Sequence, residues 1–208
     1  MKLLSFLASL IVVIGVFCSS IVFAEVSVGV SEGDWIEYDV IYSGSPPNSY
    51  PKWMKIEVTD VQGLNISIHL TVERLNGTSD TLNGTFNLAT GVADLLVIPS
   101  NLEVGEEFYH EEFGNIEIQG TEEQTYGEAN RIINCANLED LVIHWDRSTG
   151  ILVEADQSAE DFTQKLVVDR TNVWHSQIFG LDLTLFFVLI GVSCIVIAVV
   201  GVLLLRRR

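Results

Sequence analysis

Cysteine and positive charge are both scarce in the middle of this chain. Cys18 and Cys194 lie in its apolar ends, and only Cys135 lies between them. No internal disulfide can close there, so the central segment must stand on a hydrophobic core. Cys135 itself reads as a small buried apolar residue. Lys2, Arg206, Arg207 and Arg208 are four of the 11 basic residues, and Asp182 is one of the 28 acidic ones. The remaining 7 basic and 27 acidic residues give residues 25–177 a formal charge of −20. Such a surface repels phosphate, which argues against nucleic acid or an anionic membrane face as a partner.

Nucleotide-binding signatures are missing as well. The chain has no phosphate-binding loop and no dinucleotide fingerprint. His69, His110, His144 and His175 are far apart and lack a metal-ligand spacing. Glu103, Glu106, Glu107, Glu111 and Glu112 gather around His110, and carboxylates suit calcium. Their spacing matches no standard calcium loop, so a solvated face is expected. Neither a catalytic residue, a metal nor a cofactor is expected.

What the sequence has is a strongly apolar end. Residues 181–205 are strongly apolar, with Asp182 their one charged residue, and run into three arginines. A helix over residues 183–205 would be roughly 34 Å long, enough to cross a ~30 Å hydrocarbon core. The positive-inside rule puts the arginines in the cytoplasm and the preceding domain outside. Trp174, His175 and Phe179 are then expected at the outer interface, with Asp182 hydrated at the mouth of the span. Gly191, Cys194, Ala198 and Gly201 recur at spacings of three, four and three, a small-residue face suited to a second helix. A protein partner or self-association through that face is the expectation. At the other end, Lys2, the apolar run 3–17 and Val22-Phe23-Ala24 have the layout of a signal peptide cut after Ala24. The expected organisation is a signal peptide (1–24), an extracytoplasmic β domain (25–177), a transmembrane helix (178–205) and a cytoplasmic basic stop (206–208). That makes the chain a single-pass cell-membrane protein.

Between these ends the period is two. Leu64, Ile66, Ile68, Leu70 and Val72 alternate with Asn65, Ser67, His69, Thr71 and Glu73, giving one dry and one wet face. Leu82, Phe86 and Leu88 repeat the pattern, as do Ile36, Tyr38, Val40 and Tyr42, then Met54, Ile56 and Val58. Ile116 with Ile118, Leu141, Ile143 and Trp145, Ile151 with Val153, and Leu166 with Val168 continue it. Residues 99–112 form the longest irregular piece and are expected to cross between sheet halves. Asp146 should cap a hairpin turn that Gly150 ends at positive φ. The fold class is therefore all-β: an antiparallel meander of about 9–11 strands, either a curved barrel or half-barrel or a sandwich, plus the C-terminal helix. Asn65, Asn76 and Asn83 each begin an N-glycosylation sequon, two on wet strand positions and one in a turn.

Three short stretches carry a resemblance. Gly33-Asp34-Trp35-Ile36-Glu37-Tyr38, the stretch 98–106 beginning Ile98-Pro99, and His144-Trp145-Asp146-Arg147-Ser148-Thr149-Gly150-Ile151-Leu152-Val153-Glu154 resemble a group of uncharacterised archaeal secreted or membrane-anchored proteins. That group shows a Gly-Asp-Trp opening, a proline followed by Leu-x-Val-Gly-Asp, and a Tyr-Trp-Asp-Lys-x-Thr-Gly hairpin. Here Glu106, His144 and Arg147 stand where the group has aspartate, tyrosine and lysine. The resemblance implies surface location and β architecture, and no activity. A non-enzymatic binding or cell-envelope role is the first expectation. A half-barrel carrier of an apolar ligand, with Trp35, Trp53, Met54, Phe86 and Trp145 lining a cavity, is the second. An accessory subunit of a membrane complex is the third.

Overall fold

The structure is a computed structural model that describes residues 26–92, 95–126, 129–174, 177–178, 181–182 and 187–193. The expected signal peptide lies outside the described residues. Nine strands form one antiparallel sheet: β1 (Trp35–Gly44), β2 (Pro51–Gln62), β3 (Asn65–Arg74), β4 (Ser79–Asn87), β7 (Gly120–Tyr126), β8 (Ala129–Leu138), β9 (Leu141–Asp146), β10 (Leu152–Ser158) and β11 (Phe162–Thr171). Their order is β4-β3-β2-β1-β11-β10-β9-β8-β7. Two meanders thus grow outward from a central β1–β11 pair, and the sheet keeps two free edges instead of closing. One principal sheet, neither closed barrel nor two-sheet sandwich, carries the fold.

Since β4 and β7 are opposite edges, the chain between them must cross the sheet's full width. That segment, 88–119, also forms a small hairpin of β5 (Glu107–His110) and β6 (Gly114–Glu117), where sequence suggested mostly irregular chain. It supplies the second layer that a one-sided sheet needs. Val97, Ile98, Leu102, Phe108, Ile116 and Ile118 are buried together with the sheet's Ile36, Tyr38, Ile56, Ile66, Ile143 and Trp145. Each such side chain contributes about 1.5–3 kcal/mol on leaving water. Trp145 is fully buried, meets Phe108 edge-on at 5.6 Å and donates its indole N–H to Leu95 O at 2.8 Å. The Tyr38 hydroxyl, equally buried, donates to Leu152 O at 3.0 Å.

Some expected faces change. Leu82 is 63% exposed although it shares parity with buried Phe86, because the crossing segment leaves β4 at its far end. Trp35 and Trp53 pair with Glu57 and Asp39 on the face opposite the core, so they do not line an interior. Strand β8 has buried side chains on both faces. Ile133 and Ala129 point away from Trp145 in the β8–β9 register, yet both are fully buried. Trp174 is buried too, and its indole N–H donates to Tyr126 O at 3.2 Å. Trp174 thus packs into the domain, with the guanidinium of Arg131 over its ring at 5.3 Å.

The C-terminal end also departs from expectation. β12 (Gln177–Ile178) pairs with β13 (Leu181–Asp182), so the chain is extended, not helical, from 177 to 178 and at Asp182. Residues 187–193 are helical, with Phe187, Val188, Leu189, Ile190 and Val192 exposed. Among the described residues no helix is long and apolar enough to cross a membrane. The rest of the expected span, 194–205, lies outside the described residues.

Candidate functional site

The crossing segment is pinned to the N-terminal stretch by paired serines. Ser100 N donates to Ser27 O at 2.9 Å, and the two hydroxyl oxygens are 2.8 Å apart. Beside this seam lies a half-open groove of about 570 Å³. Val26, Leu88, Pro99, Leu102 and Phe108 form its apolar walls, and Glu106, Glu107 and a half-exposed Tyr109 stand at its lip. Asn101 turns the chain at φ +62°, a conformation asparagine tolerates, and its N–H donates to Arg147 O at 2.6 Å. Leu95 sits at φ +58°, a strained value for leucine, held where its carbonyl meets Trp145.

Asn101 links the rim of the groove to the hairpin turn 146–150. Asp146, 1% exposed, takes Arg131 Nε at 2.6 Å and Nη2 at 3.0 Å. It also accepts the Ser148 hydroxyl at 2.8 Å, Thr149 N at 2.8 Å and the Thr149 hydroxyl at 2.7 Å. Burial alone would raise its pKa; the Arg131 and Thr149 hydrogen bonds outweigh it and hold the carboxyl below its usual range. Gly150, at φ +73°, lies so close to Ile98 O that no side chain fits. Gly29 packs as tightly, since a Cβ there would stand 2.5 Å from Thr149 Cα. Asp146 Oδ1 accepts four of these hydrogen bonds and Oδ2 one, and the turn is the seat for the crossing segment at Ile98 and for the N-terminal stretch at Gly29.

A second polar cluster lies on the outer face of β7–β11. Glu154 receives Lys165 Nζ at 2.6 Å, with the Tyr126 hydroxyl 3.3 Å away, and Asp156 is 3.8 Å from the same lysine. Burial works against the charge on Glu154, but Lys165 overrides it and lowers the pKa; the hydrogen bond to Glu154 raises that of Lys165. Asp156 moves up, through burial and the Glu154 charge. Tyr126 moves up through burial and the Glu154 charge. Cys135, register partner of His144 and half-buried instead of buried, has its thiol pushed up by burial and then by Glu122. His144 Nε2 is 3.7 Å from Glu122, and its Nδ1 is buried without a partner among the described residues.

The residues singled out by sequence scatter. Asn65, Asn76 and Asn83 come together on the β3–β4 edge hairpin, all exposed. Of the helix-packing set only Gly191 is described, and nothing lies within 4 Å of where its Cβ would be; Cys194, Ala198 and Gly201 lie outside the described residues. The acidic loop disperses: Glu103 pairs with Arg147, Glu106 accepts Glu103 N at 2.7 Å, and Glu107 accepts Asn115 Nδ2 at 3.0 Å. Among the described residues no three of His, Cys, Asp or Glu converge as metal ligands do. His69 faces Asn83 Oδ1 at 2.7 Å, and His110 is buried, its Nδ1 accepting Glu112 N at 3.2 Å. Arg131, Tyr126, Glu154 and Lys165 gave no signal in the sequence, because a wet-face charge on a strand looks the same whether or not it meets a partner. Compared with family models, with curated proteins and with solved structures, the chain matches none.

Proposed function

We propose that the chain is a non-enzymatic binding protein whose acidic β domain is held outside the cell at a membrane surface. The groove between the crossing segment and the N-terminal stretch is its binding site. The observation that carries this is the groove's make-up: apolar walls from Val26, Leu88, Pro99, Leu102 and Phe108 beside the carboxylates Glu106 and Glu107. Concave apolar surface with a few placed polar groups is what ligand sites have in common. With a domain charge of −20, a ligand with an apolar body and a neutral or cationic polar part is favoured over an anion. A surface groove is preferred to an internal carrier cavity because the apolar face of the sheet is taken up by Val97, Ile98, Leu102 and Phe108. The exposed apolar helix 187–193 and the apolar residues after it supply the anchor.

The test titrates the full chain in lipid nanodiscs with a dansyl-labelled peptide of alternating leucine and lysine, read by anisotropy. Tyr109→Ala and Leu102→Glu should each weaken binding about fivefold or more, while Glu154→Gln, far from the groove, should not. Equal binding by all four proteins, or none by the wild type, would sink the groove reading. Protease added to intact cells should cleave the β domain; protection until lysis would reverse the topology.

A further inference from the structure

The two free edges of the sheet are guarded unequally. Strand β7 carries Glu122 and Glu123 along its edge. On β4, Ser79–Asn87, the only ionisable residue is Asp80, and Arg74 neutralises it at 2.7 Å. Leu82 stands 63% exposed in the middle of that strand. Its outward row against β3 sets Ser67 opposite Thr85, His69 opposite Asn83 and Thr71 opposite Thr81, and its one carboxylate, Glu73 opposite Ser79, is paired with Lys52 at 2.7 Å. An edge without charge, proline or cover is a ready template for another strand, and natural sheets block such edges. Asn83-Gly84-Thr85 lies within this edge, and Asn76-Gly77-Thr78 forms the turn that leads into it.

We propose that Asn76 and Asn83 carry N-linked glycans and that these glycans guard the β4 edge. The inference rests on the extracytoplasmic placement of the domain. Asn76 Oδ1 accepts the Thr78 hydroxyl at 2.7 Å and Thr78 N at 2.9 Å, and Asn83 Oδ1 faces His69 Nδ1 at 2.7 Å. In both, the oxygen is engaged and the amide nitrogen has no protein partner among the described residues. Asn65 differs: its Oδ1 accepts Asn87 Nδ2 at 2.7 Å and its own Nδ2 donates to Gln62 O at 3.4 Å, which ties it into the β3–β4 ladder. The reaction joins Nδ2 to the anomeric carbon of a lipid-linked glycosyl phosphate. The bond from that carbon to the phosphate oxygen breaks, the lipid phosphate departs with the electron pair, and Nδ2 loses one proton. A glycan on Asn83 then stands on the outer face of the edge strand, where its bulk crowds the side chains of an incoming strand.

The experiment is peptide mass spectrometry of the full chain purified from membranes of its own source cells. Saccharide mass is expected on the peptides holding Asn76 and Asn83. Thr85→Ala should abolish the increment at Asn83, and Thr85→Ser should keep it. Since Thr85 is exposed, neither variant threatens the fold. Asn76→Gln with Asn83→Gln should shift the purified protein toward larger oligomers, and adding Leu82→Lys should reverse the shift. Unmodified peptides from a chain that external protease cleaves on intact cells would overturn the glycan proposal and leave the location standing. Unmodified peptides from a protected chain would overturn both. Glycans present but no change in oligomer size without them would overturn the guarding role.

Discussion

Asp146 holds Arg131 through both carboxylate oxygens, and the same guanidinium sits over the Trp174 ring, 5.3 Å from its centroid. One ion pair thereby ties the β9–β10 turn to β8 and to the segment that follows β11. The Asp146 side chain is 1% exposed and that of Arg131 17%, so this is a buried pair and not a surface one. Removing one member leaves the other charge without its partner, which costs about 3–5 kcal/mol. Asp146→Asn is expected to lower stability by about 3 kcal/mol, and Arg131→Met by a similar amount. In urea unfolding the double variant should be less than additive, since neither charge is then stranded. Additive losses would mean the two side chains act independently.

Acid should find the same turn. Asp146 and Glu154 have folded pKa values below their ordinary 3.8 and 4.5. Depressed carboxylates stabilise the fold above the unfolded value and lose that contribution as pH falls through the folded one. The urea midpoint should therefore hold steady from about pH 7 to about pH 5 and decline below about pH 4. Asp156 has the opposite sign, because its raised pKa makes protonation relieve the fold. Asp156→Asn should consequently steepen the decline relative to the wild type, while Asp146→Asn should flatten it. The check is the slope of the midpoint between pH 5 and pH 3 in the three proteins.

Two glycines with nearly equal backbone angles should answer very differently to alanine. Gly77, at φ +81° in the β3–β4 turn, has nothing within 4 Å of a new Cβ. Gly77→Ala therefore carries the left-handed penalty alone, about 1–2 kcal/mol. At Gly150, φ +73°, the Cβ would run into Ile98 O. Backbone there cannot swing aside as a side-chain tip does, so Gly150→Ala adds about 1–3 kcal/mol of overpacking to the same penalty. Thermal melts should rank Gly150→Ala well below Gly77→Ala. Equal melting points would mean the crossing segment is not seated on the turn.

These contrasts show what the sequence can and cannot carry. Ile66 and Ile68, or Ile143 and Trp145, were legible because alternation is a local property and burial on one face repeats every second residue. The turn at Asp146–Gly150 was legible for the same local reason. Leu82 breaks the pattern, since parity says which face a residue takes but not how far the covering layer reaches. The order of the strands was not legible either: the pairing of β1 with β11 joins residues more than a hundred positions apart, and hydrophobic pattern has no term for partner choice. Trp174 sat beside an apolar run and borrowed its meaning from that neighbour. Only Arg131, Tyr126 and the dry back of β8 reveal that it has a place in the domain.

Trp174 offers the sharpest separation of two readings. As an interfacial residue it would be free of the domain, and Trp174→Ala would weaken membrane contact while leaving the β sheet as stable as before. As a core residue, 6% exposed, it contributes its apolar area, an indole hydrogen bond to Tyr126 O and a cation–π contact with Arg131. Large-to-small changes at buried aromatics cost about 3–5 kcal/mol. Trp174→Ala should therefore lower the urea midpoint of the β domain by a corresponding amount. Trp174→Phe should recover part of the loss, since the ring returns without the N–H. Hydrogen exchange gives a second readout: amides of β7 and β8 should lose protection in Trp174→Ala while those of β3 and β4, at the other edge, change least. A uniform change across all strands would mean that the tryptophan acts on global stability alone and does not clamp this end of the sheet.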